Sequence, residues 1–258
     1  MIELDILLPT LNSENTILKT LESINRAQNK YKNLKVVVLV SDGGSLDNTK
    51  SIVKNFNSNL DIRIVSECDS SPEEGLSKAF IASKGEYVMP IGADDFISQD
   101  YFQDLVDVGF LSNQILLPAN FCILRKNIDG EMVLRQKRSP RKGLMLRYTI
   151  PLPGLGWIAN TSKLKHFIGP RNQMLFTNKY KYATDNELFF DLRNSGFSYK
   201  TMKNNHSSYY FLEGGRSRAN GTHLFKEACE IACKSSKWFT LDIKFIYFLW
   251  LLWIKVRK

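Results

Sequence analysis

The first hundred residues of this chain alternate between short apolar runs and stretches in which apolar residues recur at helical spacing. A strand followed by a helix and another strand forms a parallel βαβ unit with a right-handed crossover. The alternation therefore predicts an α/β fold with a mostly parallel central sheet flanked by helices. We expect strands at residues 2–8, 34–40, 62–65 and 87–91, helices containing residues 17–24, 52–56 and 72–83, and Gly85 as a helix C-cap.

The pattern loosens after about residue 110. No internal repeat and no low-complexity linker divides the chain, so one domain is expected rather than two. Its further elements are strands at residues 115–125 and 132–136 and helices at residues 183–194 and 222–234. The sequence thus predicts a single domain over residues 1–236, with halves at residues 1–100 and 101–236, and a hydrophobic, basic tail at residues 237–258.

Polar side chains follow each of the four predicted parallel strands. Thr10 comes after the first, Asp42 after the second, Asp69 after the third and Asp94 after the fourth. Ligands of such sheets bind beyond the carboxyl ends of the strands. We therefore expect these loops to face one cleft with the geometry of a nucleotide site.

Two adjacent carboxylates, Asp94 and Asp95, end the fourth strand segment. Hard cations such as Mg²⁺ and Mn²⁺ prefer oxygen ligands and often bind through one or two carboxylates together with substrate phosphates. The pair indicates a divalent-cation site. The alternative is that it caps the following helix.

The net charge of +9 indicates an acidic partner, which is a nucleic acid, an anionic membrane or a phosphorylated substrate. The hydrophobic fraction of 43% is that of a folded protein, which argues against disorder. Cys229 and Cys233 lack the two further nearby ligands that zinc needs, so we expect reduced cysteines. The chain opens on a strand pattern without a signal peptide, and a cytoplasmic location is expected.

An unbroken apolar run at residues 245–254 is flanked by Lys244, Lys255, Arg257 and Lys258. A spanning helix needs about 20 apolar residues, so this run is too short to cross a bilayer. Aromatic residues with flanking cations are typical of a helix that lies in the membrane interface. The alternative is a buried core helix or a dimer contact.

Five segments in register resemble the family 2 glycosyltransferases, which are nucleotide-sugar enzymes of the GT-A fold. The resemblance covers roughly residues 2–220. The segments are residues 6–14 (ILLPTLNSE), residues 42–49 (DGGSLDNT), residues 66–87, which lead to the acidic pair, residues 183–188 (ATDNEL) and residues 214–217 (GGRS).

The resemblance implies that the first half binds a nucleotide sugar. Asp42 would accept a hydrogen bond from the imide N–H of uracil, although it also suits a turn. Asn12 or Glu14 would hold the ribose or base, with helix capping as the alternative. The implied nucleotide-binding residues are Pro9, Thr10, Asn12, Glu14, Asp42, Gly43, Ser66, Asp69, Lys78, Ala93 and Asp94.

The family's metal motif has an acid, any residue and a second acid, and this chain departs from it. Gly92 stands where the first acid is expected, so Asp94 remains and Asp95 follows it. The resemblance implies that Mn²⁺ or Mg²⁺ binds at Asp94 and Asp95, with weak metal affinity in the absence of substrate.

The resemblance assigns the general base to Asp185, which would deprotonate the acceptor hydroxyl in an inverting displacement. Glu187 is the rival base, and capping of a helix is the alternative role of Asp185. Trp157 would stack on a sugar ring or lie in the core. The loop Gly214, Gly215, Arg216 and Ser217 would bind the diphosphate or form an ordinary turn.

The function predicted from these residues is transfer of a sugar, most readily from a UDP-sugar, to a glycan or lipid-linked acceptor in surface polysaccharide assembly. The tail would place the protein on the inner face of the plasma membrane. A catalytically weak nucleotide-sugar-binding subunit is the alternative, supported only by Gly92. Nucleic-acid binding is not expected, because the cations are not interleaved with aromatic residues on a recognisable module.

Overall fold

The computed structural model describes residues 1–107, 112–127, 129–141, 150, 154–169, 174–177, 179–213 and 221–235. The strands are β1 (Ile2–Thr10), β2 (Leu34–Asp42), β3 (Asp61–Glu67), β4 (Tyr87–Pro90), β5 (Phe96–Ile97), β6 (Gln114–Leu117), β7 (Asn120–Lys126), β8 (Met132–Arg138), β9 (Ile158–Asn160), β10 (Ser198–Thr201) and β11 (Ser208–Leu212). The helices are α1 (Ile17–Asn29), α2 (Thr49–Asn55), α3 (Pro72–Ala82), α4 (Gln103–Asp107), α5 (Thr161–Ile168), α6 (Thr184–Asn194) and α7 (Gly221–Ser235).

A seven-stranded sheet with the order β10-β6-β9-β4-β1-β2-β3 forms the centre. Strands β4, β1, β2 and β3 run parallel, and β10 is parallel to β6. Only β9 is antiparallel to its neighbours in the described sheet. Thr10 pairs with Asp42 at the carboxyl ends of β1 and β2, so the loops that follow these strands start side by side. The predicted mostly parallel sheet is confirmed.

Apolar residues bury both faces of this sheet. Leu4, Ile6 and Leu8 of β1 face the core that contains the apolar side of α1. Leu7 points the other way, into the core shared with Leu76 of α3. Because side chains alternate across a strand, the continuous apolar run of β1 supplies both cores.

A second sheet has the order β5-β11-β7-β8. The sequence predicted one strand at residues 115–125, whereas the structure has β6 in the central sheet and β7 in the second sheet. Pro118 separates them, and its missing N–H prevents a continuous ladder of hydrogen bonds there. The chain therefore changes sheets at this proline.

Gly85 is not a helix C-cap, contrary to expectation. The C-cap of α3 is Ser83, in an extended conformation. A Cβ at Gly85 would lie 2.8 Å from a carboxylate oxygen of Asp5, which accepts hydrogen bonds from the N–H groups of Lys84 and Gly85 at 2.6 and 2.8 Å. Close approach of a buried carboxylate thus requires the glycine.

All four cysteines are free, as predicted. Within the described ranges, no helix is both long enough and apolar enough to cross a membrane. The predicted membrane-interface tail at residues 237–258 lies outside the described residues.

Candidate active site

A cleft of about 630 Å³ opens at the carboxyl ends of the parallel strands. Loops after β1, β2, β3 and β4 form one side, and residues near α6 and the end of β11 complete it. The structure thus brings together the four loops that the sequence placed at one cleft. Predicted site residues that line it are Pro9, Thr10, Asn12, Gly43, Asp69, Ala93, Asp94 and Asp185.

The loop after β1 is tied to the loop after β2 by reciprocal hydrogen bonds. The side-chain oxygen of Asn12 accepts from the N–H of Leu46 at 3.0 Å. Glu14 accepts from the backbone and side-chain N–H groups of Asn48, both at 3.0 Å, while its own N–H donates to Asp47 at 3.1 Å. These contacts make Glu14 a brace between the loops, and it does not line the cleft.

Asp42 is buried, and its carboxylate is used within its own turn. One oxygen accepts from the N–H groups of Gly44 and Ser45 at 3.0 and 2.7 Å, and the other accepts from the hydroxyls of Thr10 and Ser45 at 3.0 and 2.6 Å. Burial raises the pKa of Asp42, but these hydrogen bonds outweigh it and leave the pKa below its usual value. Of the two roles left open by the sequence, this geometry is that of the turn former.

Asp69 presents a carboxylate at the cleft that is fixed from two sides. The hydroxyl of Ser41 donates to it at 2.6 Å, and the ammonium of Lys78 lies 2.8 Å away. A Cβ at Gly75 would come within 2.8 Å of the same carboxylate. Lys78 also pairs with Glu74 at 2.8 Å, so it acts at this site through Asp69. The side chain of Ser66, another predicted site residue, is outside the described part of the structure.

Gly92 leaves room for the two carboxylates at the end of β4. A Cβ at this position would lie 3.0 Å from an oxygen of Asp94 and 2.7 Å from an oxygen of Asp95. The second oxygen of Asp95 is buried and has no hydrogen-bond partner. Two oxygens that converge beside an unpartnered third one suit a hard divalent cation. Asp94 faces the cleft, whereas Asp95 is buried behind it, so Asp94 is the carboxylate of the pair that is open to the cleft.

Asp95 is a buried acid whose pKa is raised to about 7. Burial is the main cause, and the neighbouring charge of Asp94 adds to it. The pKa of Asp94 is also raised by burial. A nearby positive charge favours the ionised forms of both carboxylates and would therefore lower their raised pKa values.

Asp185 lies in the first turn of α6 and faces the cleft. Its two oxygens accept hydrogen bonds from the N–H groups of Gly154 at 3.0 Å and Asn186 at 2.8 Å. Withdrawal from water raises its pKa, and these hydrogen bonds offset the shift in part. A fixed carboxylate with a raised pKa is suited to accept a proton.

Glu187 and Trp157 are two further predicted site residues that do not line the cleft. Glu187, the rival base, is buried, accepts a hydrogen bond from the hydroxyl of Thr177 and lies 3.9 Å from the ammonium of Lys179. Trp157 is 1% exposed and packs edge-to-face on Phe189, 6.2 Å between ring centroids. Of the two roles left open for Trp157, this packing is that of a core residue, because its neighbours enclose the ring. Gly214, Gly215, Arg216 and Ser217 lie outside the described residues.

Two residues that support the site were not predicted. Tyr209 donates a hydrogen bond to Asp95 from β11, and Glu227 of α7 accepts hydrogen bonds from the loop before Asp185. In the sequence, Tyr209 stands in the apolar and aromatic run at residues 208–212, and Glu227 is one of several charged residues of a helix. Neither position has a local signal that separates it from ordinary strand or helix residues.

Comparisons with known proteins give consistent matches. Residues 5–108 match the model of Glycosyl transferase family 2. An uncharacterized glycosyltransferase of Mycoplasma genitalium is 28% identical over 125 residues, which are 47% of this chain and 41% of that protein. Poly(ribitol-phosphate) beta-N-acetylglucosaminyltransferase TarS of Staphylococcus aureus is 28% identical over 107 residues, 40% of this chain and 18% of TarS. The matches therefore span less than half the length of either relative.

Solved structures of residues 1–349 of S. aureus TarS are similar to this chain. The complex with UDP-GlcNAc has a TM-score of 0.63 at 18% identity and covers 96% of this chain and 70% of that one. The complex with UDP has a TM-score of 0.57 at 17% identity, with coverage of 95% and 70%. At such identities the likeness shows a shared fold, and the fold class predicted from the sequence is confirmed.

Proposed function

We propose that the protein transfers a sugar from a nucleotide-diphosphate sugar to a hydroxyl group of an acceptor. The match of residues 5–108 to the model of Glycosyl transferase family 2 supports this proposal. The observation that carries the proposal is the placement of Asp185 in the same cleft as Asp69 and Asp94. A base for the acceptor thus shares a cleft with the loops that suit a nucleotide diphosphate.

The donor is a UDP-sugar in this proposal. TarS has been crystallised with UDP-GlcNAc and with UDP, and its fold is shared over most of this chain. Asp69 lies at the cleft, where the hydroxyl of Ser41 donates to its carboxylate, and in this proposal it accepts a further hydrogen bond from the base or ribose. Thr10, Gly43 and Ala93 line the same cleft.

Asp185 acts as the general base. A sugar hydroxyl is a weak nucleophile, so removal of its proton as it attacks the anomeric carbon lowers the barrier. The proton passes from the hydroxyl to a carboxylate oxygen, the new glycosidic bond forms, and the bond to the diphosphate breaks on the opposite face. A single displacement of this kind inverts the anomeric configuration.

Asp94 and Asp95 are the residues that would hold Mn²⁺ or Mg²⁺. When bound, the cation would stabilise the negative charge that develops on the departing diphosphate. The convergence of the two carboxylates at Gly92 and the unpartnered oxygen of Asp95 support this assignment.

The acceptor is a hydroxyl group of a glycan or lipid-linked glycan in surface polysaccharide assembly. TarS carries the name of a poly(ribitol-phosphate) transferase, and this supports a surface polymer as the class of acceptor. Lys137 and Arg138 are exposed on β8, an edge strand of the second sheet. These cations support contact with an anionic membrane surface on its cytoplasmic side, in addition to the contact proposed for the tail.

The test is a panel of UDP-, GDP- and dTDP-sugars, incubated with Mn²⁺, with Mg²⁺ and with a chelator, while release of the nucleotide is followed. We expect slow release from one UDP-sugar, accelerated by the cation and lost in Asp94→Ala and Asp185→Asn. Binding of UDP by Asp185→Asn, measured by calorimetry, controls for folding. UDP binding without turnover of any donor or glycan acceptor would favour the catalytically weak binding subunit instead.

A further inference from the structure

We propose that Tyr209 is a positioning residue whose hydroxyl fixes the carboxylate of Asp95, and that this contact sets how Asp94 and Asp95 together receive a divalent cation and the donor diphosphate. The inference rests on the proposed function and deepens it. Tyr209 stands on β11 in the second sheet, 114 residues from Asp95 in sequence.

Both residues are removed from solvent. Tyr209 is 0% exposed and Asp95 is 3% exposed. The hydroxyl of Tyr209 donates to one carboxylate oxygen of Asp95, so strand β11 restrains the rotation of that carboxylate. Leu212 itself lines the cleft, so the strand reaches the site directly.

The ring of Tyr209 is held in place by its neighbours. It stacks on Phe121 at 5.7 Å between centroids, with 13° between the ring planes. On another side it lies against Gly156, where a Cβ would come within 2.3 Å of the ring. Gly156 is fixed in turn, because its N–H donates to Pro90 at 2.8 Å and its carbonyl accepts from the hydroxyl of Tyr101. The hydroxyl of Tyr209 is therefore aimed by rigid packing.

The position of the Asp95 carboxylate depends on the space that Gly92 leaves beside Asp94. The oxygen that accepts from Tyr209 is also the one 2.7 Å from the point where a Cβ of residue 92 would lie. An oxygen of Asp94 is 3.0 Å from the same point. Thus the carboxylate of Asp95 occupies the space beside Asp94 that a side chain at position 92 would need. Loss of the Tyr209 hydroxyl would free Asp95 to rotate away from that arrangement.

The test compares Tyr209→Phe with Tyr199→Phe in the whole chain. Each variant removes one hydroxyl that donates a hydrogen bond and keeps the ring, but Tyr199 donates to the carbonyl of Phe189 and only Tyr209 contacts Asp95. Binding of UDP is measured by calorimetry across a series of Mn²⁺ concentrations and in chelator, and thermal unfolding is followed in parallel. For Tyr209→Phe we expect the Mn²⁺ concentration at half-maximal effect on UDP binding to rise about 10-fold or more, the usual size for residues that orient metal ligands. UDP binding in chelator is expected to be unchanged.

A double variant gives the second criterion. If Tyr209 acts through Asp95, then adding Tyr209→Phe to Asp95→Asn shifts the Mn²⁺ dependence no further than Asp95→Asn alone. If the two substitutions instead act independently, so that their fold-changes in the Mn²⁺ dependence multiply, the proposal is overturned. It is also overturned by a Tyr209→Phe protein whose Mn²⁺ dependence matches that of Tyr199→Phe while both lose thermal stability, or by a wild-type protein whose UDP binding does not respond to Mn²⁺.

These readouts separate this inference from the proposed function. If no donor sugar is turned over but the Mn²⁺ dependence of UDP binding shifts as expected, the positioning role holds and the transferase assignment fails. If transfer occurs and the shift is absent, the positioning role fails and the transferase assignment stands.

Discussion

Glu227, on the last described helix, accepts a hydrogen bond from the backbone N–H of Ala183 at 3.0 Å, two residues before Asp185. The same carboxylate accepts from the N–H groups of Tyr182 and Lys181 at 2.8 and 3.2 Å. The first N–H groups of a helix have no partner within it, and no side chain of the N-cap Ala183 can supply one. Glu227 therefore anchors the segment from which α6 and its proposed base begin.

We expect Glu227→Ala to lower transfer through the turnover number, with little change in UDP binding. The three N–H groups lose a charged acceptor, and a hydrogen bond to a charged group contributes about 1.5–3 kcal/mol. Steady-state kinetics and thermal unfolding check this. Glu230→Ala is the matched control, because Glu230 on the same helix pairs with Lys234 at the surface, where such pairs contribute little. Equal loss of activity in both variants would contradict the anchoring role.

Asp185→Asn is expected to abolish transfer and retain UDP binding, because the amide cannot take the proton. The base acts in its ionised form, and the pKa of Asp185 is raised by burial. The rate should therefore fall on acidification at a higher pH than for an ordinary aspartate. A pH profile of wild-type turnover measures this. Glu187→Gln should keep its activity, and the reverse result would make Glu187 the base.

Asp95→Asn is expected to change the pH dependence of stability. The pKa of Asp95 in the folded protein is about 7, against 3.8 for an ordinary aspartate. The fold therefore prefers the protonated acid, and the stability gained below the unfolded pKa is lost as pH rises through about 7. In chelator, the variant should gain in melting temperature over wild type at about pH 8 but not at about pH 4. A constant difference at both pH values would show that Asp95 is not buried as an acid.

Asp42→Asn should have the opposite pH dependence. Hydrogen bonds hold the pKa of Asp42 below its usual value, so its stabilising effect is present at neutral pH and is lost as pH falls through that lowered pKa. We expect a loss of about 1–3 kcal/mol in the free energy of unfolding at neutral pH. The difference between the variant and wild type should become smaller in acid. Denaturant unfolding checks this, with Asp61→Asn at an exposed pair with Arg63 as control. Weakened UDP binding without loss of stability would instead support direct contact with the base.

Gly156→Ala is expected to be strongly destabilising. The residue has a φ of +88°, and a Cβ would lie 2.3 Å from the ring of Tyr209. Gly130 has a similar φ of +81° but nothing within 4 Å of a Cβ, so Gly130→Ala isolates the backbone cost of about 1 kcal/mol. The difference between the melting temperatures of the two variants measures the cost of the clash with the Tyr209 ring, apart from the backbone cost. Similar losses would mean that the Tyr209 ring can move.

Local sequence was sufficient to predict the fold of residues 1–100. The periodicity of apolar residues indicates which positions are buried, and it can be read from residues that are close together in the chain. The apolar runs of β1 and β2 and the helical spacing after them are examples. Once these elements alternate, a parallel sheet requires their carboxyl ends to meet. That is why Thr10, Asp69 and Asp94 could be assigned to one cleft from the sequence.

The fold after residue 100 was less predictable because its contacts join residues that are distant in sequence. The apolar stretch at residues 115–125 gave no sign that it would divide between two sheets. In the sequence, Trp157 suits either stacking on a sugar ring or burial in the core. Only its packing against Phe189 places it in the core.

The sequence by itself determined the order of strands and helices from β1 to β4, the acidic pair after β4 and the helix that carries Asp185, because each depends on residues close together in the chain. Tertiary structure alone decided that the Asp42 carboxylate accepts hydrogen bonds within its own turn, that Tyr209 holds Asp95 and that Glu227 anchors the start of α6. The physical reason is that a carboxylate's role is set by the donors that reach it, and the donors to Asp95 and the acceptor for Ala183 come from elements 114 and 44 residues away.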